Sequence, residues 1–157
     1  MRPPIPPPPH EGGCLCGEVR YRLDARPLAV NACHCDDCKK LSGATNLLML
    51  LAAREHFQHV SGGVDKFRKR ADSGREIDIV RCANCGVRLW HEPLSAPSLV
   101  FIAVGTLDAS AWAVPTSHIW TDRAAPAVHF EDDALRVARQ PADREQLMAA
   151  FNRVYGS

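Results

Sequence analysis

A chain of 157 residues, 46% of them hydrophobic and 24% charged, is long enough to bury a core and too mixed to be fibrous or disordered. Nineteen basic residues against eighteen acidic ones leave a formal charge of +1, which excludes the strongly basic face of a general nucleic-acid binder. The longest apolar runs, around residues 47–53 and 99–104, fall far short of the roughly 20 residues that a bilayer span needs. The expectation is a soluble globular domain with no membrane and no nucleic-acid partner.

Residues 1–11 hold six of the twelve prolines and read as a polyproline-rich, flexible tail outside the fold. Residues 12–157 are expected to form a single domain, mainly β. Val19, Tyr21 and Leu23 alternate with Arg20 and Arg22, the period-2 signature of a half-buried strand. A short turn of helix is predicted over Asp36–Ser42. Asn46–Ala52 and Leu99–Val104 are continuous apolar runs of strand length, predicted to be buried on both faces. Ile77 and Ile79 alternate with Glu76 and Asp78 in Arg75–Cys82, and Val87–His91 and His118–Thr121 are further short strands. Ser61-Gly62-Gly63 and Asp72-Ser73-Gly74 mark turns, and the basic run over residues 66–75 reads as an exposed hairpin. Gly105-Thr106-Leu107-Asp108 reads as a strand-ending turn. Near the end, Asp143 can cap a short C-terminal helix, with Gln146 three residues on. Leu147, Met148, Phe151 and Tyr155 then follow at helical spacing up to Gly156.

The seven cysteines carry the chemistry. An odd number at one- and two-residue spacings fits a disulfide framework poorly, and no apolar leader precedes them, so a reducing cytoplasm is the expected setting. There, close-set cysteines read as metal ligands or redox thiols. Cys14 and Cys16 lie between glycines, Cys33, Cys35 and Cys38 fall within six residues, and Cys82-Ala83-Asn84-Cys85-Gly86 has the form of a zinc knuckle. Seven divides as four plus three. Cys14, Cys16, Cys82 and Cys85 supply the closed tetrahedron of a structural zinc. Cys33, Cys35 and Cys38 leave one position open, the arrangement of a catalytic zinc. Two readings compete with this. Cys82 and Cys85 could be a redox pair, although no thioredoxin-like pattern surrounds them, and the three-cysteine group could be closed by a histidine. His34 is the nearest, but a side chain between two ligands in an extended segment points away from them. His91 and His118 are read as satisfied, partly buried histidines.

The ordered motifs Gly12-Gly13-Cys14-Leu15-Cys16-Gly17-Glu18-Val19-Arg20-Tyr21 and Cys33-His34-Cys35-Asp36-Asp37-Cys38-Lys39-Lys40-Leu41-Ser42-Gly43-Ala44 together resemble the glutathione-dependent formaldehyde-activating enzyme family, which includes centromere protein V. Cys82-Ala83-Asn84-Cys85-Gly86, Gly105-Thr106-Leu107-Asp108 and His118-Ile119-Trp120 extend the resemblance in order over roughly residues 12–122. It implies a coiled, several-sheeted β fold with two zinc ions. It assigns Cys14, Cys16, Cys82 and Cys85 to the structural ion and Cys33, Cys35 and Cys38 to the catalytic one. The implied activity is that of a carbon–sulfur lyase, joining a small-molecule thiol and an aldehyde as in S-(hydroxymethyl)glutathione formation. Glutathione is then the co-substrate, and Lys39 and Lys40, directly after the three cysteines, could anchor its carboxylates. The alternative is a non-catalytic, zinc-stabilised interaction module.

Overall fold

The computed structural model of the protein describes residues 1–71 and 73–157; Asp72, part of an expected turn, lies outside the described residues. In chain order come β1 (His10–Gly13), β2 (Arg20–Leu23), β3 (Ala29–Cys33), α1 (Asp36–Ser42), β4 (Leu47–Ala53) and β5 (Phe57–Ser61). After these follow β6 (Val64–Arg70), β7 (Glu76–Cys82), β8 (Arg88–Pro93), β9 (Leu99–Ala103), β10 (Ser117–Ile119), β11 (Leu135–Val137) and α2 (Glu145–Tyr155). The fold is mainly β with a C-terminal helix. No helix among the described residues is long and apolar enough to cross a membrane.

The chain divides into two compact units, each described in turn, and one of its passages between them falls within β4. One comprises Pro6–Pro27 and Leu51–Ser110. In it β1, β2 and β5 form an antiparallel three-stranded sheet, and β6, β7, β8 and β9 an antiparallel meander. The alternation read at Val19, Tyr21 and Leu23 is real: all three are buried, with Arg20 and Arg22 on the other face. Tyr21, Phe57 and Trp90 pack ring against ring at centroid distances of 5.0–6.0 Å, the geometry in which aromatic pairs add to simple burial. The basic run forms the expected hairpin, β6 against β7. On it Arg68 grips Asp78 through two hydrogen bonds of 2.8 and 3.0 Å. Those charges sit on a long, exposed strand, where they discourage edge-to-edge pairing.

Residues of the expected tail enter the fold. β1 begins at His10, which is buried and pairs with Leu23. Apolar periodicity could not announce this strand, because its sequence is His-Glu-Gly-Gly. Its glycines are steric requirements: a Cβ on Gly12 would sit 2.3 Å from Tyr21 Oη and 2.4 Å from the Thr106 carbonyl oxygen. The same contact explains the Gly105–Asp108 turn. Thr106 Oγ1 meets Tyr21 Oη at 2.8 Å, and Asp108 forms a bidentate ion pair with Arg20.

The other unit comprises Met1–Ile5, Leu28–Leu50 and Ala111–Ser157. Here β10 runs parallel to both β3 and β11, and α2 lies against β3. Every residue of β3 is buried. Asp143 accepts the Gln146 N–H at 3.1 Å as expected, and α2 buries Leu147, Ala150 and Phe151. The N-terminal segment is anchored too: Arg2 donates to both carboxylate oxygens of Asp133 and, at 3.0 Å, to the Val114 carbonyl.

One buried histidine has a consequence for stability. His91 is 4% exposed and its Nε2 lies 3.2 Å from Arg88 Nη1. Burial, with Arg88 and Lys69 nearby, pushes its pKa down to about 3. The folded chain therefore excludes a proton that the unfolded chain binds below about pH 6.5, so this contribution to stability is present above that pH and is lost as pH falls toward 3. Urea titrations should show wild type losing about 1 kcal/mol more than His91→Gln between pH 7.5 and 5.5. Parallel losses in the two proteins would refute the buried neutral state.

Candidate metal and catalytic sites

The first cluster belongs to the unit containing Pro6–Pro27 and Leu51–Ser110. The Sγ atoms of Cys14, Cys16, Cys82 and Cys85 all lie within 4.8 Å of one another. Cys14 and Cys16 Sγ are 3.4 Å apart, and Cys16 and Cys82 Sγ 3.8 Å. A disulfide requires about 2.05 Å, whereas four sulfurs each about 2.3 Å from a tetrahedral zinc stand roughly 3.8 Å apart. None of the seven cysteines is disulfide-bonded. The backbone shapes each half of the cluster. The Val19 N–H donates to Cys14 Sγ at 3.2 Å, and the Cys85 N–H to Cys82 Sγ at 3.4 Å. Gly86 has φ +76, letting the chain turn back so that the Cys82 N–H reaches the Val87 carbonyl.

The electrostatics divide the four thiols. Backbone N–H groups of Val87 and Cys16 bring Cys85 down to about 6. For Cys82 the Cys85 N–H pulls downward, but burial and the adjoining sulfurs prevail and push it up to about 11. Four convergent sulfurs resist ionising together unless a cation compensates them. The donor set, spacing and N–H···S contacts fit a closed thiolate metal site.

The second cluster lies in the unit containing Leu28–Leu50. Cys33, Cys35 and Cys38 bring three Sγ atoms within 4.8 Å of one another, and no fourth His, Cys, Asp or Glu among the described residues joins them. β3 delivers Cys33; Cys35 then caps α1, its Sγ accepting the Cys38 N–H at 3.4 Å. α1 ends at Gly43, in the left-handed region at φ +67. Hydrogen bonding to Cys35 drives the Cys33 thiol up to about 12, with burial adding to it. Cys33 and Cys35 raise Cys38 far above the ordinary thiol range. Three neutral thiols are what this geometry favours without a cation, and three thiolates with one.

α1 is held from outside. Asp36 accepts from Arg123 Nη1 at 2.8 Å and pairs with Lys39 at 3.2 Å, while Lys39 Nζ donates to the Arg123 carbonyl at 2.7 Å. Lys39, expected to meet a substrate carboxylate, is thus engaged in fastening α1, and Lys40 is exposed. Arg123 reaches α1 because Trp120 adopts φ +56 and turns the chain out of β10 into the Thr121–Arg123 turn. A left-handed non-glycine residue costs about 1–3 kcal/mol and persists only where its surroundings enforce it. His34 does turn away from the cysteines: its Nε2 lies 2.9 Å from His118 Nδ1. His118 Nε2 in turn lies 2.6 Å from Glu131 Oε2. Sequence reasoning did not place Arg123 or Glu131 at this site, since no spacing pattern marks them, and it carried Trp120 only within the His118-Ile119-Trp120 motif.

Fold and sites together define a mainly-β protein with two cysteine clusters that could each hold a metal ion. The glutathione-dependent formaldehyde-activating enzyme pattern matches residues 9–123, and the chain belongs to that family. Its fold is similar to that of a Rhodobacter sphaeroides protein solved by crystallography, with a TM-score of 0.51 and 19% sequence identity over 63% of this chain and 88% of the other. No curated protein matches the chain. Metal analysis of protein prepared without chelator is expected to return about two zinc ions per chain. No metal, with cysteines paired as disulfides, would overturn the reading of both clusters.

Proposed function

We propose that the protein is a zinc-dependent carbon–sulfur lyase acting on adducts of a small thiol and an aldehyde, of the S-(hydroxymethyl)glutathione type. The observation that carries this reading is the three-sulfur cluster of Cys33, Cys35 and Cys38, convergent within 4.8 Å and lacking a fourth side-chain donor among the described residues. A zinc ion held there would supply a Lewis-acidic position open to an incoming thiol, favouring its thiolate at neutral pH. In the synthetic direction the thiol loses its proton, sulfur attacks the aldehyde carbon, the C=O π bond breaks, and the oxygen takes up a proton. The protein's residues contribute position. Cys35 fixes the start of α1, and Asp36, Lys39 and Arg123 hold that helix so that Cys38 returns to Cys33 and Cys35. Preorganising the reactants in this way removes part of the entropic barrier. Exposed Lys40, two residues beyond Cys38, is suited to meet a carboxylate of glutathione, with Lys39 behind it.

Glutathione and formaldehyde combine spontaneously, so the test is exchange. Magnetisation-transfer NMR should show the protein accelerating interconversion of free and adduct formaldehyde, and Cys38→Ser losing at least about tenfold of that acceleration. Equal exchange with both proteins would sink the proposal. With cobalt in the three-cysteine site, glutathione should change the thiolate-to-metal absorption and S-methylglutathione should not. An identical response to the two would exclude sulfur ligation.

A further inference from the structure

The hydrogen-bonded chain behind the three cysteines has no part in the reaction just described. His34 is fully buried and His118 is 3% exposed, while Glu131 brings a carboxylate to the far end with a third of its side chain in solvent. The two imidazoles stack at 5.2 Å, and Phe130 closes over both edge-on, at 5.6 Å from His34 and 4.8 Å from His118. Arg136 covers the outer side of Phe130 at 5.2 Å. Burying imidazole nitrogens is costly unless they are paired, and core packing alone would be better served by apolar rings. Three of the four nitrogens here are paired, and His34 Nδ1 is buried without a hydrogen-bond partner among the described residues. The pairing is directional. A carboxylate only accepts, so His118 Nε2 donates to Glu131, which leaves His118 Nδ1 to accept from the His34 Nε2–H.

That chain fastens residue 34 to β10 twice, because the His34 backbone N–H also donates to the Ile119 carbonyl at 3.0 Å. In an extended segment alternate side chains take opposite faces. Drawing the residue 34 side chain into the core therefore sends those of Cys33 and Cys35 the other way, which is the condition for their sulfurs to meet Cys38. We infer that His118 and Glu131 are positioning residues, acting through His34 to preorganise Cys33 and Cys35 as metal ligands. The inference rests on reading the three cysteines as a metal site, and it is independent of which reaction that metal serves.

The test uses the full chain loaded with zinc or cobalt, with the Cys14/Cys16/Cys82/Cys85 cluster as internal control. His118→Phe keeps the ring and its packing on Phe130 while removing both hydrogen bonds. Chelator competition should show one metal equivalent held about 10–100-fold more weakly and the other unchanged. The cobalt spectrum of the weakened site should broaden. His118→Gln, which retains a donor and an acceptor, should restore part of the affinity. Wild-type affinity for both metals in folded His118→Phe would overturn the inference, as would a Gln variant no better than Phe. Should His118→Phe fail to fold, Glu131→Ala, a change at a partly exposed position, decides alone: a selectively weakened second metal supports positioning, and two wild-type affinities refute it. A wild-type protein that binds two metals but does not accelerate thiol–aldehyde exchange would overturn the proposed reaction and leave these metal readouts standing. A wild-type protein with no metal at the three cysteines would overturn both.

Discussion

Cys82→Ser is expected to leave a chain that does not fold stably, whereas Cys38→Ser should fold and lose only its activity. Cys82 ends β7, is 1% exposed, and stands 3.8 Å in sulfur–sulfur distance from Cys16, 66 positions earlier. A metal held by these four sulfurs closes a loop that runs from β2 through β7. In closed thiolate sites the binding free energy, about 10–16 kcal/mol, is largely folding free energy. Cys33, Cys35 and Cys38 instead close a loop of six residues, already fastened by the Asp36–Arg123 pair and the Lys39–Arg123 hydrogen bond. Little chain entropy depends on their metal. Circular dichroism melts should therefore separate the variants: a lost or strongly lowered transition for Cys82→Ser, and a near wild-type one for Cys38→Ser. The reverse order would exchange the structural and catalytic assignments.

Gly62→Ala should be the most damaging single-methyl change in the molecule. Gly62 has φ +87, and a Cβ there would lie 2.3 Å from the Glu18 carbonyl oxygen and 2.7 Å from Val19 Cα. Both obstacles are backbone, so relief requires moving Glu18 and Val19, and the Val19 N–H is the donor to Cys14 Sγ. Backbone strain and overpacking together should cost about 3 kcal/mol or more, with weaker metal retention at the four-cysteine cluster. Gly74→Ala provides the comparison. Its φ is +82, but among the described residues a Cβ there meets nothing within 4 Å, so only the conformational penalty of about 1 kcal/mol applies. Equal melting temperatures for the two variants would show that the close approach to Glu18 is not limiting.

The amino-acid sequence by itself determined what is short-range. Both cysteine clusters are assembled from pairs or triplets of ligands whose own backbone turns aim the sulfurs, so Cys35–Cys38 and Cys82–Cys85 were legible from spacing. α1 over Asp36–Ser42 and the packed face of α2 follow from caps and helical spacing within one turn or two. Strands β2, β4, β7 and β9 were legible because burial on one or both faces imposes a pattern on neighbouring residues. β1, by contrast, is built from His10, Glu11 and two glycines, and its pairing to β2 depends on space beside Tyr21 that only packing creates. The same holds for the links that position the three cysteines. Trp120 leaves the ordinary backbone region because the chain on either side of it is pinned. Arg123 finds Asp36 across 87 positions, and His118 joins His34 across 84 and Glu131 across 13. Such contacts leave no periodicity in the chain, since their partners meet through strand register and loop path rather than through local spacing. Only the tertiary structure decided them.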